Sequence, residues 1–194
     1  MRRTQCEIHA VSEIEAILNR CRIGIIATLD ADGGPYATPV NYVYRGGAIY
    51  FHGAAQGQKL DNIRRDARVC FTVALPLAYK DMACEPDKPP CSAGQFYHSV
   101  IVRGRAEIVE AAEEKLAALN ALMAAHENRP GFSEITADIP QTRTCAVVAI
   151  RIESMTGKRN LAQTKTPEEK RRIAARLRQR GTPGDLEAAG LIDV

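Results

Sequence analysis

Residues 49–59 read Ile49-Tyr50-Phe51-His52-Gly53-Ala54-Ala55-Gln56-Gly57-Gln58-Lys59. Apolar and aromatic residues give way to two glycines, and the stretch ends on a lysine where a helical pattern begins. The first half predicts a strand, because aromatic and β-branched residues pack well on a pleated surface. From Gly57 to Asp66 the spacing of Leu60, Ile63 and Ala67 predicts an amphipathic helix. A strand running through glycines into a helix start suits an anion. The first amides of a helix have no intrahelical acceptor, and Lys59 adds a positive charge beside them.

Outward from this stretch the chain alternates short apolar runs with glycine turns. Arg22–Leu29 predicts a strand, closed by Asp30-Ala31-Asp32-Gly33-Gly34 as a hairpin turn. Tyr36 to Tyr44 forms the return strand, Arg45-Gly46-Gly47 a second turn, and Ala48–His52 a third strand. Further strands are predicted over 68–75, 95–109 and 146–152. Ser12–Glu15 has the pattern of a capping box opening a helix. Glu113–Glu127 is the clearest helix, with Leu116, Leu119, Leu122 and Met123 on one stripe. Residues 76–94 carry four of the ten prolines and read as a long loop, and Gly104 as a bulge or bend. Six strands in mostly antiparallel order, with helices at the corners, predict a mainly β fold with α, a small barrel.

Bulk composition narrows the function classes. Hydrophobic residues make up 45% and charged residues 25% of the 194, an ordinary globular balance. No run approaches the ~20 apolar residues that span a bilayer, and the N-terminus lacks a signal-peptide core, so a cytoplasmic location without membrane is expected. The six cysteines do not suggest a disulfide framework in so long a chain. Cys84 and Cys91 flank a loop at a spacing that matches no metal knuckle, and no metal is expected. Between Lys158 and Arg180 nine basic side chains face only Glu168 and Glu169, a local charge of +7 that leaves about −4 for the rest. Without stacking aromatics or a helix-turn-helix pattern, this tail reads as a solvated amphipathic helix, and nucleic acid is not an expected partner.

The order of the motifs is more specific than any one of them. Ile-Gly-Ile-Ile-Ala-Thr-Leu-Asp at 23–30, Pro-Val-Asn-Tyr-Val-Tyr at 39–44 and Ile-Tyr-Phe-His-Gly-Ala with Gly57 and Lys59 together resemble the pyridoxamine 5′-phosphate oxidase-like flavoproteins. Phe96-Tyr97-His98-Ser99 and the helix after it are similar to the 5-nitroimidazole-resistance (Nim) branch. The resemblance covers roughly residues 1–160 and implies a six-stranded antiparallel split β-barrel with peripheral helices, forming a homodimer with FMN at the interface. By carry-over Thr38, Pro39, Val40 and Asn41 line the ring and ribityl, and Phe51, His52, Gly53, Ala54 and Lys59 hold ring and phosphate. Tyr97 and Ser99 reach the flavin held mainly by the partner, and His52 is the candidate reactive residue. The barrel is expected over 1–157, with a basic helical extension over 158–194.

Resemblance also frames the function. It implies an FMN-dependent reductase of small electron-poor substrates, with NADH or NADPH as donor. The alternative is a non-catalytic flavin- or haem-binding protein or an FMN-binding regulator, with His9, His98 or His126 as axial ligands. The arginine-rich pattern of true pyridoxamine phosphate oxidases is absent, so vitamin B6 oxidation is not implied.

Overall fold

A computed structural model describes residues 3–129 and 131–192; Met1 and Arg2 of the basic N-terminal stretch lie outside them. The elements run β1 (Glu7–Ile8), α1 (Val11–Arg20), β2 (Ile23–Leu29), β3 (Pro35–Asn41), β4 (Val43–Arg45), β5 (Ala48–Ala54), α2 (Gln58–Arg65), β6 (Arg68–Lys80) and β7 (Gly94–Ile108). They continue with α3 (Ala112–His126), α4 (Pro140–Thr144), β8 (Cys145–Asn160), α5 (Pro167–Arg180) and α6 (Pro183–Ile192). The chain divides into two compact units, and β6, β7 and β8 contribute residues to both.

The larger unit, Ile14–Val73 with Val100–Met155, is a curled sheet in the order β3-β2-β6-β7-β8-β5-β4. The path is not closed: β3 lies beside β5 without a ladder between them. Alternate residues point inward, as a pleated strand requires. Ile26, Ile49, Phe71, Val100, Val102, Val148 and Ile150 make a fully buried interior, and the Phe71 ring meets Tyr42 edge-on at 4.9 Å. Outside the sheet, α3 covers Ala48, Tyr50, Val147 and Ala149 with Ala118 and Leu119.

Eight strands replace the six expected. The two-residue β1 has too little pattern to be read from sequence. The predicted strand 36–44 breaks at Tyr42, because β3 pairs with β2 whereas β4 pairs with β5. At the break Tyr42 turns inward and its hydroxyl donates to the Leu18 carbonyl at 2.5 Å, which satisfies a buried polar group. The loop is also shorter than expected: β6 extends to Lys80, and two short 3-10 turns occupy Met82–Cys84 and Pro90–Ser92. Ser12 lies inside α1, which starts at Val11, so the expected capping box does not mark that start.

The smaller unit comprises Met1–Glu13, Ala74–Ser99 and Thr156–Val194. Here β1 pairs with β8, Glu7 opposite Lys158 and Ile8 opposite Gly157. Ile173, Ala174 and Leu177 of α5 and Ala188, Ala189 and Ile192 of α6 pack on Leu77, Ala78 and Phe96. A complete capping box, Thr166 with Glu169, opens α5, and Gly181 closes it at φ 73°. The basic tail is largely neutralised within this unit. Arg159 pairs with Glu13, Arg176 and Arg180 with Asp81, and Arg180 also with Asp185.

Asp185 is almost completely buried, and Arg180 fixes it with bonds of 2.8 and 2.5 Å. The Arg180 bonds, with the Thr182 hydroxyl and amide, hold its carboxyl at about 2, below the ordinary 3.8. A depressed folded-state pKa contributes stability above the unfolded value that disappears as pH falls through the folded one. Asp185→Asn is therefore expected to cost about 2 kcal/mol near neutral pH. In chemical denaturation, the gap to the natural protein should begin closing below about pH 4 and vanish near pH 2.

Candidate functional site

Four elements of the larger unit converge on one cleft of about 210 Å³. β3 supplies Tyr36 and Thr38, two residues apart on one face. β5 supplies Phe51, Gly53 and Ala54, and β8, paired to β5 as Phe51 with Val148 and Gly53 with Ala146, completes the wall. Cross-strand partners share a face, so the ladder register itself assembles this surface. The N-terminus of α2 closes the remaining side through Gln56, Gly57, Gln58 and Lys59.

The cleft is apolar on its walls and cationic at its end. Gly57 caps α2 at φ 134°, a conformation few L side chains adopt, and its carbonyl accepts the amides of Leu60 and Asp61. The first-turn amides of Gln58 and Lys59 precede that pattern and face outward at the positive helix end. The Lys59 ammonium stands 5.0 Å above the Phe51 ring. Among the described residues no carboxylate pairs with it, and partial burial pulls its pKa down. Burial disfavours the charged form of this ammonium, and a nearby anion would favour it.

Two further features mark the walls. Thr38 Oγ1 is buried yet has no hydrogen-bond partner among the described residues, and a buried hydroxyl left unpaired costs roughly 1–3 kcal/mol. At Gly53 an added Cβ would meet nothing within 4 Å. A glycine facing open space in a strand leaves room for close approach of a planar group.

Of the residues expected at the site, Thr38, Phe51, Gly53, Ala54 and Lys59 come together here. Val40 is buried further along the same face of β3. Pro39 and Asn41 are exposed on the opposite face, across from Ile25 and Ile23 of β2. His52 is exposed on the outer face of β5, opposite Val147 in the ladder and outside the cleft. Tyr97 and Ser99 belong to the smaller unit, where the Lys158 ammonium lies 5.2 Å from the Tyr97 ring. His126 Nε2 hydrogen-bonds to the Tyr42 carbonyl at 2.9 Å. Tyr36, Gln56, Gln58, Ala146 and Val148 line the cleft without having been singled out. Tyr36 was findable by its period-two spacing from Thr38, whereas Ala146 and Val148 depend on a ladder formed about ninety residues away.

Comparison with known proteins places this geometry. A family model described as pyridoxamine 5′-phosphate oxidase matches residues 10–159. No curated protein sequence matches the chain. Among solved structures, a candidate 5-nitroimidazole antibiotic resistance protein of Bacteroides thetaiotaomicron aligns at 27% identity and a TM-score of 0.64, over 78% of this chain and 85% of that one. A conserved hypothetical protein of Mycobacterium tuberculosis aligns at 25% identity and a TM-score of 0.65, over 81% and 88%. A flavocytochrome of Azotobacter vinelandii, at 20% identity, shares the fold with a TM-score of 0.69, over 82% and 72%.

Proposed function

The chain belongs to the pyridoxamine 5′-phosphate oxidase family, and on that premise we propose that it is an FMN-binding flavoprotein that reduces small electron-poor substrates. The observation that carries the reading is the continuity of one cleft, from the unpaired Thr38 hydroxyl to the unpaired Lys59 ammonium at a helix start. In this reading Lys59 and the amides of Gln58 and Lys59 bind the phosphate dianion. Thr38 hydrogen-bonds to the flavin, while Phe51, Val148 and Ala146 exclude water from one face of it. Bound FMN would relay electrons from NADH or NADPH to the substrate, and the protein would supply position and a dry, polarised surface.

The same observations support a homodimer. The cleft is smaller than the roughly 300–1,000 Å³ of sites that enclose an organic ligand, so a second protomer would complete it. Ile23 and Ile25 stand 60% and 45% exposed on β2, beside Pro39 and Asn41. A two-fold dimer burying that face would cover the isoleucines and bring Pro39 and Asn41 to the shared boundary.

Anaerobic mixing of the FMN-loaded protein with NADH or NADPH tests the enzymatic part. Bleaching of the flavin absorbance, and its return on adding a nitro-aromatic, is the expected outcome. FMN that stays oxidised with both donors would leave a binding protein rather than a reductase.

A further inference from the structure

The smaller unit contains a cavity of about 520 Å³ that shares no lining residue with the cleft described above. Arg3, Lys80 and Lys165 reach its wall, among neutral polar groups that include Ser92, Asn160 and Thr164. No carboxylate lines it among the described residues, although the chain as a whole carries 23 acidic residues against 26 Lys and Arg. Such segregation in a concave space is how anion sites are built.

Beneath the wall lies a fully buried carboxylate, Glu85, shared by both lysines. One oxygen accepts from Lys165 at 2.5 Å and the other from Lys80. Lys80 is 7% exposed, and burying an ammonium is costly unless its charge and donors are met. Glu85 meets one donor on each lysine, whereas each ammonium has three. Glu169 lies 3.8 Å from Lys165, but also 3.8 Å from Lys88, and it accepts the Thr166 amide. Counting Arg3, Lys80, Lys88 and Lys165 against Glu85 and Glu169 leaves an excess of +2 around the cavity.

The wall also contains Ala162, at φ 60° the one non-glycine residue with a positive φ among those described. Left-handed backbone at alanine is strained and persists where the surroundings demand it. Here it turns the chain after β8 so that Gln163, Thr164 and Lys165 all reach the cavity. Gln163 is then locked in place: its Oε1 accepts the Leu161 amide and its Nε2 donates to the Arg159 carbonyl. The turn at Ala162 and the bonds of Gln163 thus fix the backbone from which Lys165 projects.

We propose that this cavity binds a phosphate monoester, its dianionic phosphate bridging Lys80 and Lys165, with Arg3 at the mouth. A phosphate monoester carries about −1.5 to −2 at neutral pH, which balances the excess charge, while a monocarboxylate balances only half of it. The volume exceeds that of a bare anion and leaves space for a small organic group beside Phe96 and Ala93.

Isothermal titration of the full-length protein with glycerol 3-phosphate, at fixed ionic strength and with or without saturating FMN, tests this. Saturable one-to-one binding is expected in both conditions. It should weaken at least tenfold in Lys165→Met and severalfold in the surface variant Arg3→Ala, and stay unchanged in Lys59→Met. Acetate should not compete. Absence of saturable binding, indifference to Arg3→Ala and Lys165→Met, or loss of binding in Lys59→Met would overturn the site. Inorganic phosphate binding as tightly as the monoester would overturn the assignment of an organic ligand.

Discussion

Lys59→Met is expected to weaken FMN binding by about one to two orders of magnitude while leaving the fold intact. A hydrogen bond to a charged group is worth about 1.5–3 kcal/mol, and the Lys59 ammonium is the cation that lines the cleft. Methionine keeps most of the volume over the Phe51 ring, so packing should survive. Stability should change little, because the lysine is partly desolvated and has no carboxylate partner among the described residues to lose. Gly53→Leu is the complementary change. Its side chain would project where an added Cβ meets nothing within 4 Å, filling the cleft without straining the barrel. Flavin-fluorescence titration should show weakened binding in the first variant and none in the second. Less than a twofold change in Lys59→Met would place the phosphate elsewhere.

A large loss of stability is expected from Gly104→Ala. A Cβ on Gly104 would stand 2.1 Å from the Arg151 carbonyl oxygen and 3.0 Å from its carbon. Both neighbours are backbone in the adjacent strand β8 and cannot swing aside as a side chain would. The β7–β8 ladder must separate locally, in the middle of the larger unit. Overpacking of this kind costs about 1–3 kcal/mol, occasionally more, and the upper end applies where backbone meets backbone. A denaturant midpoint lowered accordingly, with the transition slope unchanged, is the expected result. The glycine serves close approach within an unbroken strand, Gly94–Ile108, whereas the sequence had suggested a bulge or bend.

Local chemistry was legible along the chain, and non-local pairing was not. The hairpin at 30–34 and the helix after Gly57 carry their signals within a few residues, and both formed where expected. Tyr42 shows the opposite case. Its neighbours continue the β pattern without interruption, yet the strand divides there because the next segment pairs with a different partner. The loop after Leu75 shortened for a related reason: β6 continues to Lys80, where the ammonium is buried against Glu85. A lysine–glutamate pair five residues apart gives no sign in sequence that both are buried.

The site divides along the same line. Lys59 and Gly57 were readable because a helix start is a local event. The contiguous block Thr38–Asn41 is sorted by strand alternation, which sends Thr38 into the cleft and turns Pro39 and Asn41 to the face of Ile23 and Ile25. Alternation likewise separates Phe51 and Gly53 from His52. Ala146 and Val148 enter the cleft only through the β5–β8 register, which no local pattern specifies.

The absorbance spectrum of the purified protein decides whether the cleft holds FMN. A flavin spectrum is expected, with FMN released on denaturation and rebound by the refolded chain. A Soret band in its place, or a colourless protein that rejects added FMN, would contradict it.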